Sequence, residues 1–306
     1  MTMTVKVKVT RLNIQDYAQQ IALYEPFKPD LSSPKSKAQL VSELLNQLSE
    51  VLVSLGITHF QDHDAQSQRI LLDNAMTVLP ANYLSAESTD ALTQLLQIES
   101  AERERTDVTD IAAKPFVIIG DTKIILWKGD ITTLAVDAIV NAANNQMLGC
   151  FQPQHKCIDN AIHNRAGAQL RADCEVIMEL QGNIEETGIA KITRAYNLPS
   201  KFVIHTVGPI VQNMIQPIHA GQLASSYRSI LTLAKQTERI RSLAFCSIST
   251  GIFGYPIEQA TRVALDTVTQ WLMENPDQFD TIVFNVFSEY DHHVYQSALE
   301  DYVCQL

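Results

Sequence analysis

The feature that most constrains this 306-residue chain is a change of hydrophobic period near Pro115. Before it, apolar residues recur at helical spacing. Ala38, Leu40, Val41, Leu44, Leu45, Leu48, Val51 and Leu52 form one stripe, Ile70, Leu71, Leu72, Ala75 and Met76 a second, and Ala91, Leu92, Leu95, Leu96 and Ile98 a third. Ser88 marks the N-cap region of the third helix, and Pro26, Pro29 and Pro34 interrupt the chain before the bundle. After Pro115 short β-branched runs alternate with amphipathic segments. Val117–Ile119 and Lys123–Trp127 flank the turn dipeptide Gly120-Asp121, and Val136–Val140, Ala190–Tyr196, Phe202–Val207, Leu243–Ile248 and Thr281–Val286 follow as strands. Helices are expected over Asp159–Leu180, Gly221–Lys235, Pro256–Met273 and Glu289–Val303. Such alternation folds as an α/β domain with a mixed sheet between helices. The expectation is therefore a small, mainly helical N-terminal domain over residues 1–113 and an α/β domain over 114–306, joined through the charged stretch Glu99–Asp110.

Charge narrows the partners. The net charge of −11 is spread over both parts, −6 before residue 114 and −5 after it. Neither part has the basic face of a nucleic-acid binder. No apolar run reaches the ~20 residues of a membrane helix, and the start MTMTVKVKV lacks the apolar core of a secretory signal. A cytoplasmic protein with no nucleic-acid or membrane partner is expected. A small anion remains a suitable ligand if backbone N–H groups hold it.

Four segments stand at strand ends, where ligands of layered α/β sheets bind. They are Gly129-Asp130-Ile131, the Asn141-Ala142-Ala143-Asn144 stretch, Gly188-Ile189-Ala190, and Ser249-Thr250-Gly251-Ile252-Phe253-Gly254-Tyr255 before Pro256. The last contains two glycines and opens a helix, a combination that lets backbone amides and the helix N-terminus approach a phosphate. Phe253 and Tyr255 fit either ligand cover or ordinary packing. Taken alone, Asp130 fits an N-cap or turn carboxylate and Asn144 a turn residue.

In this order the four segments resemble the macrodomain family, over about Val117–Leu306. The resemblance implies a macrodomain-type sheet and an ADP-ribose pocket. It places Asp130 on the adenine amino group, Asn144 on the distal ribose, and the Gly188–Ala190 and Ser249–Tyr255 loops around the diphosphate and distal ribose.

One stretch departs from the common pattern. Where many macrodomains carry a glycine-rich loop, this chain has Cys150, His155 and Cys157, then keeps Asp159 and Ala161-Ile162-His163. That departure is similar to the zinc-containing subgroup, whose members carry a helical N-terminal extension. Two thiolates and an imidazole within eight residues suit one zinc ion. Three protein ligands leave a fourth position open, the mark of a catalytic rather than a structural site. Cys174 and His163 are the spare candidates for a fourth ligand, although His163 reads better as a core histidine satisfied by backbone. Cys174, Cys246 and Cys304 read as buried apolar residues, and His205 as structural. The expected function is zinc-dependent hydrolysis of the bond between the distal ribose C1 and a protein side chain. Asn144 and Asp159 would be catalytic, and the substrate a mono-ADP-ribosylated protein. The alternatives are a module that only binds ADP-ribose and an O-acetyl-ADP-ribose deacetylase.

Overall fold

The computed structural model describes residues 11–304 apart from Asp30, residues 32–34 and Glu238, so the MTMTVKVKV start and Pro34 lie outside the described residues. The strands are β1 (Thr106–Asp107), β2 (Val117–Ile119), β3 (Thr122–Lys128), β4 (Leu134–Ala135), β5 (Ala138–Ala143), β6 (Ala190–Arg194), β7 (Phe202–Val207), β8 (Ser242–Phe245) and β9 (Thr281–Val286). Seven of them form one mixed sheet in the order β2-β3-β9-β8-β5-β7-β6. The inner five are parallel, while β2 and β6 run antiparallel at the two edges. Every residue of β7, β8 and β9 is buried. This is why those strands are mainly apolar and do not alternate with exposed polar residues: both faces are covered.

The helices are α1 (Ile14–Tyr17), α2 (Lys37–Gln47), α3 (Ser49–Ser54), α4 (Ala65–Val78), α5 (Ala86–Glu102), α6 (Val108–Ile111), α7 (Ile158–Ala166), α8 (Ala168–Gln181), α9 (Pro217–Gln236), α10 (Ile257–Glu274) and α11 (Glu289–Val303). Those from α7 onward pack with the sheet in one core that includes Ile139, Val203, Phe245 and Phe284. Leu40, Leu44, Leu72, Leu95 and Leu96 build a separate core for α2–α5. The mixed α/β architecture with a helical N-terminal region is thus as the sequence implies.

Three local expectations change. The helix expected over Asp159–Leu180 is two, because Gly167 adopts φ +102° and breaks it into α7 and α8. Ser85, not Ser88, caps α5: its hydroxyl accepts from the Ser88 amide, and Ser88 itself is buried in the first turn. The charged stretch does not hang free, since β1 pairs in parallel with β4. The earliest described segment also belongs with the sheet: Ile14, Tyr17, Ile21 and Leu23 lie in its core, and the Tyr17 hydroxyl accepts from the Ile192 amide.

The helical unit docks across α7 and α8 through named contacts. Gln169 donates to Thr93, Gln97 to Asn197 and Asn82 to Glu175. Arg69 pairs with Glu99 at 2.6 Å, and Arg165 of α7 reaches the same carboxylate at 3.2 Å.

Candidate active site

The parallel pairing brings the sequence-distant motifs to one edge. Lys128 at the end of β3 lies opposite Val286 at the end of β9, and Ala143 at the end of β5 opposite Val207 at the end of β7. Because β6 is antiparallel, its first residue Ala190 faces Thr206 at that same edge. Gly129–Ile131, Asn144, Gly188–Ala190 and the segment after β8 therefore converge, as do the residues that follow β9.

The loop between β5 and α7 carries the candidate metal ligands. Cys150 Sγ, a His155 ring nitrogen and Cys157 Sγ all lie within 4.8 Å of one another. Cys150 Sγ is 3.0 Å from His155 Nδ1. Tetrahedral zinc, with bonds of ~2.3 Å to sulfur and ~2.0 Å to nitrogen, spaces its ligands about 3.5–4 Å apart. The donor types fit zinc; the Cys150–His155 separation is about half an ångström shorter than that spacing, so the loop would widen slightly to seat the ion. Burial pushes the Cys157 thiol up to about 12, against the Asn160 amide that favours its thiolate, so a bound cation would have to drive off the proton.

The chain holds this loop open at a conformational cost. Met147, Phe151 and Gln154 are non-glycine residues with φ of +64°, +54° and +61°. Such strain persists only where surroundings over-determine it. Asn144 Nδ2 donates to the Gly149 carbonyl at 2.8 Å, and Asn160 Nδ2 to the carbonyls of Gln152 at 2.9 Å and His155 at 3.0 Å. Asn144 thus shapes the loop that carries the ligands, a role its sequence position did not indicate.

Asp159 sits in the first turn of α7, 4% exposed, accepting from Asn141 Nδ2 at 2.8 Å. Burial pushes its carboxyl up to about 6, against the opposing pull of the Asn141 hydrogen bond and the Arg171 charge. Beneath it, Asn141 Nδ2 contacts His205 Nδ1 at 3.1 Å, and His205 Nε2 contacts Thr193 Oγ1 at 3.0 Å. His205 is therefore structural, and burial holds its pKa down to about 3. His163 is a core histidine too. Contrary to the expectation, no backbone group satisfies it: neither ring nitrogen has a well-aligned hydrogen bond among the described residues, although Nε2 lies 3.5 Å from Asp159 Oδ1. With Cys174 and His205 it forms a second, fully buried group separate from the loop cluster, so neither spare candidate joins the first. Cys174 and Cys246 are buried as expected, but Cys304 is exposed because it follows the end of α11.

A cavity of about 540 Å³ opens beside the loop, lined by Gly129–Thr132, by His155–Ile158 and by Ile70, Asp73, Asn74 and Thr77 of α4. Asp130 caps a short helical turn, accepting from the Thr132 amide at 2.9 Å. It also pairs with Arg103, which donates to Thr132 Oγ1 as well. The Asp130 side chain stays 45% exposed, so it retains capacity for a ligand. A Cβ at Gly129 would meet the Trp127 ring at 2.3 Å, so a larger residue there would require that ring to move. Phe287 and the α4 side chains of this cavity, and Arg103 beside Asp130, escaped the sequence reading. Phe287, 79% exposed, follows β9 beside Asp130, and its signal was an aromatic residue directly after an apolar strand. Neither Arg103 nor the α4 side chains gave any signal.

The remaining loops match the anion-holding expectation unevenly. Gly188 has φ +91°, and its carbonyl accepts from Ser225 and Ser229. Ile189 is buried and Ala190 opens β6. After β8, Ser249 takes φ +67° and the Tyr255 amide returns to its carbonyl at 3.0 Å. Among the described residues the amides of Gly251, Ile252 and Phe253 make no hydrogen bond within the chain, leaving three successive N–H groups for an anion. Thr250 is tied locally to the Ser247 carbonyl and Gly254 to that of Gly251. Phe253 remains half-buried at the loop, whereas Tyr255 is 2% exposed. Its ring packs in the core, so the side chain does not cover a ligand.

Comparison with known proteins agrees with this arrangement. A sequence model described as the Macro domain matches residues 140–264. A Treponema medium protein named protein-ADP-ribose hydrolase is 46% identical over 236 residues, 77% of this chain and 89% of that one. One of the same name from Staphylococcus aureus (strain MRSA252) is 47% identical over 200 residues, 65% of this chain and 73% of that one. Among solved structures, an Oceanobacillus iheyensis macrodomain with ADP has a TM-score of 0.56 at 39% identity, covering 62% of this chain and 96% of that one. A Trypanosoma brucei macrodomain in complex with ADP-ribose has a TM-score of 0.57 at 30% identity, covering 74% and 94%.

Proposed function

The chain belongs to the macrodomain family, and on that premise we propose that it is a zinc-dependent hydrolase that releases ADP-ribose from mono-ADP-ribosylated protein side chains. In this reading the bond between C1 of the distal ribose and the side chain breaks, water supplies oxygen to C1, and its proton leaves with the side chain. The names of the curated relatives support the hydrolase activity, and the ADP and ADP-ribose complexes of the structural relatives support the ligand.

The observation that carries the zinc dependence is the position of the Cys150–His155–Cys157 group, held between Asn144 and Asp159 at the end of β5. Zinc bound by these three side chains would supply a Lewis-acid position at the distal ribose. The chain does the remaining work. Free amides at Gly251–Phe253 hold the diphosphate, and the Gly188–Ala190 turn closes the other side. Asp130 accepts from the adenine amino group while Phe287 offers a ring face to the base. Asp159, two residues beyond Cys157 in the first turn of α7, orients the water or takes its proton.

The test pairs metal analysis with release of ADP-ribose from a modified protein. Wild-type protein should carry one zinc per chain. Cys157→Ala should lose the metal and slow release by orders of magnitude, while free ADP-ribose still binds within about tenfold. Release at the wild-type rate from a zinc-free variant would make the metal dispensable. No release by the zinc-loaded wild type would leave a binding module.

A further inference from the structure

Arg171 lies on α8, outside every motif described above, yet only 6% of it is exposed. A buried guanidinium needs partners for its five donors. Arg171 finds three in the helical unit: Nη1 donates to the carbonyls of Met76 and Leu79, and Nη2 to that of Thr77, while Nε has no hydrogen-bond partner among the described residues. These are carbonyls at the C-terminal end of α4, where a helix has no donors of its own left and its dipole favours a cation. The other side of the same guanidinium lies 4.6 Å from the centre of the Phe151 ring. Phe151 is one of the left-handed residues of the metal loop and directly follows Cys150. Gly149, on the other side of Cys150, has its Cα face against Arg171: a Cβ there would meet Nη2 at 3.2 Å.

We propose that Arg171 is a positioning residue that fixes the metal-binding loop to the C-terminal end of α4, so that the helical unit sets the geometry of Cys150. The inference rests on the zinc reading above for its consequence in catalysis, but not for the packing it describes. Three contacts hold the part of the loop that carries the ligands. Asn144 and Asn160 belong to the α/β domain, and the Phe151–Arg171 stack is the one that reaches the helical unit. The helical unit is thereby part of the hydrolase rather than a passenger. The Treponema medium relative agrees, since a match of 236 residues is longer than residues 114–306 and must extend into the helical unit.

Two variants of the full chain separate this role from general stability. Phe151→Leu removes the ring from a side chain already 38% exposed and leaves the Arg171–α4 contacts in place. Arg171→Lys keeps the charge and loses the planar fork and the stack. Amide hydrogen exchange, measured with and without zinc, should rise over residues 149–155 in both variants. Over the last turn of α4 it should rise only in Arg171→Lys. Chelator-driven zinc loss should speed up by about threefold in Phe151→Leu, in the range of a cation–π contact with a partly exposed ring. Its kcat should fall more than its KM changes, and its melting temperature should stay near wild type. Unchanged loop exchange and unchanged zinc loss in Phe151→Leu would overturn the positioning role. A wild type without zinc whose loop exchange still responds to both variants would instead overturn the metal reading and keep the anchor.

Discussion

Replacing Asp130 with alanine should weaken ADP-ribose binding by about tenfold and abolish discrimination at position 6 of the purine. A hydrogen bond to a charged group contributes about 1.5–3 kcal/mol. Here the carboxylate side chain is 45% exposed and already shares its charge with Arg103 and Thr132. Water competes for such a site, so the lower end applies, about 1.5 kcal/mol, or roughly tenfold in Kd. A second ligand makes the reasoning sharper. Replacing adenine by hypoxanthine exchanges the amino donor for a 6-oxo acceptor, which would face the carboxylate oxygen to oxygen. Wild-type protein should therefore prefer the adenine ligand by at least about tenfold, and Asp130→Ala should bind the two within about twofold. Titration calorimetry on the four combinations gives the coupling directly. A variant that still prefers adenine as strongly as wild type would remove Asp130 from base recognition, whatever its overall affinity.

Further predictions concern catalysis, preorganisation and the seam between the two units. Asp159→Ala should retain zinc by metal analysis yet slow ADP-ribose release by at least about a hundredfold, the lower range for a positioned acid–base group. A loss of metal together with activity would move Asp159 from catalysis to loop structure. Arg103→Ala should weaken ADP-ribose binding by no more than about fivefold, because a pair this exposed contributes about 0–1 kcal/mol; fluorescence or calorimetric titration checks it. Glu99 is half-buried, which alone would raise its pKa, but the Arg69 hydrogen bond and the Arg69, Arg165 and Lys37 charges hold it below the ordinary value. Its contribution is present above the unfolded carboxylate range near ~4.3 and is lost as pH falls through the lower folded value. Acid unfolding of Glu99→Gln should accordingly depend less on pH below that range than wild type does; superimposable acid-unfolding curves would refute the claim.

What the amino-acid sequence determined by itself was set by short-range pattern. The change from helical to alternating period near Pro115 marked the passage from the core of α2–α5 to the sheet, and glycines at strand ends marked loops that gather at one sheet edge. Cys150, His155 and Cys157 lie within eight residues, so their grouping was legible without a fold, whereas the left-handed turns of the loop that bring their donors within 4.8 Å of one another were not. Contacts set by docking were not. Arg103 on Asp130, Arg171 between α4 and Phe151, and the α4 wall of the cavity join residues about 27 to 95 positions apart across the seam of two cores. Tyr255 and Phe253 look alike in sequence, and only the packing of β8 and its neighbours buries one and leaves the other at the loop. Periodicity records which face of an element is apolar, but not which element comes to lie against it. Where the meeting surfaces are polar, as between the helical unit and α7, the pairing is set by the geometry of individual hydrogen bonds, and that geometry exists only once both units have folded.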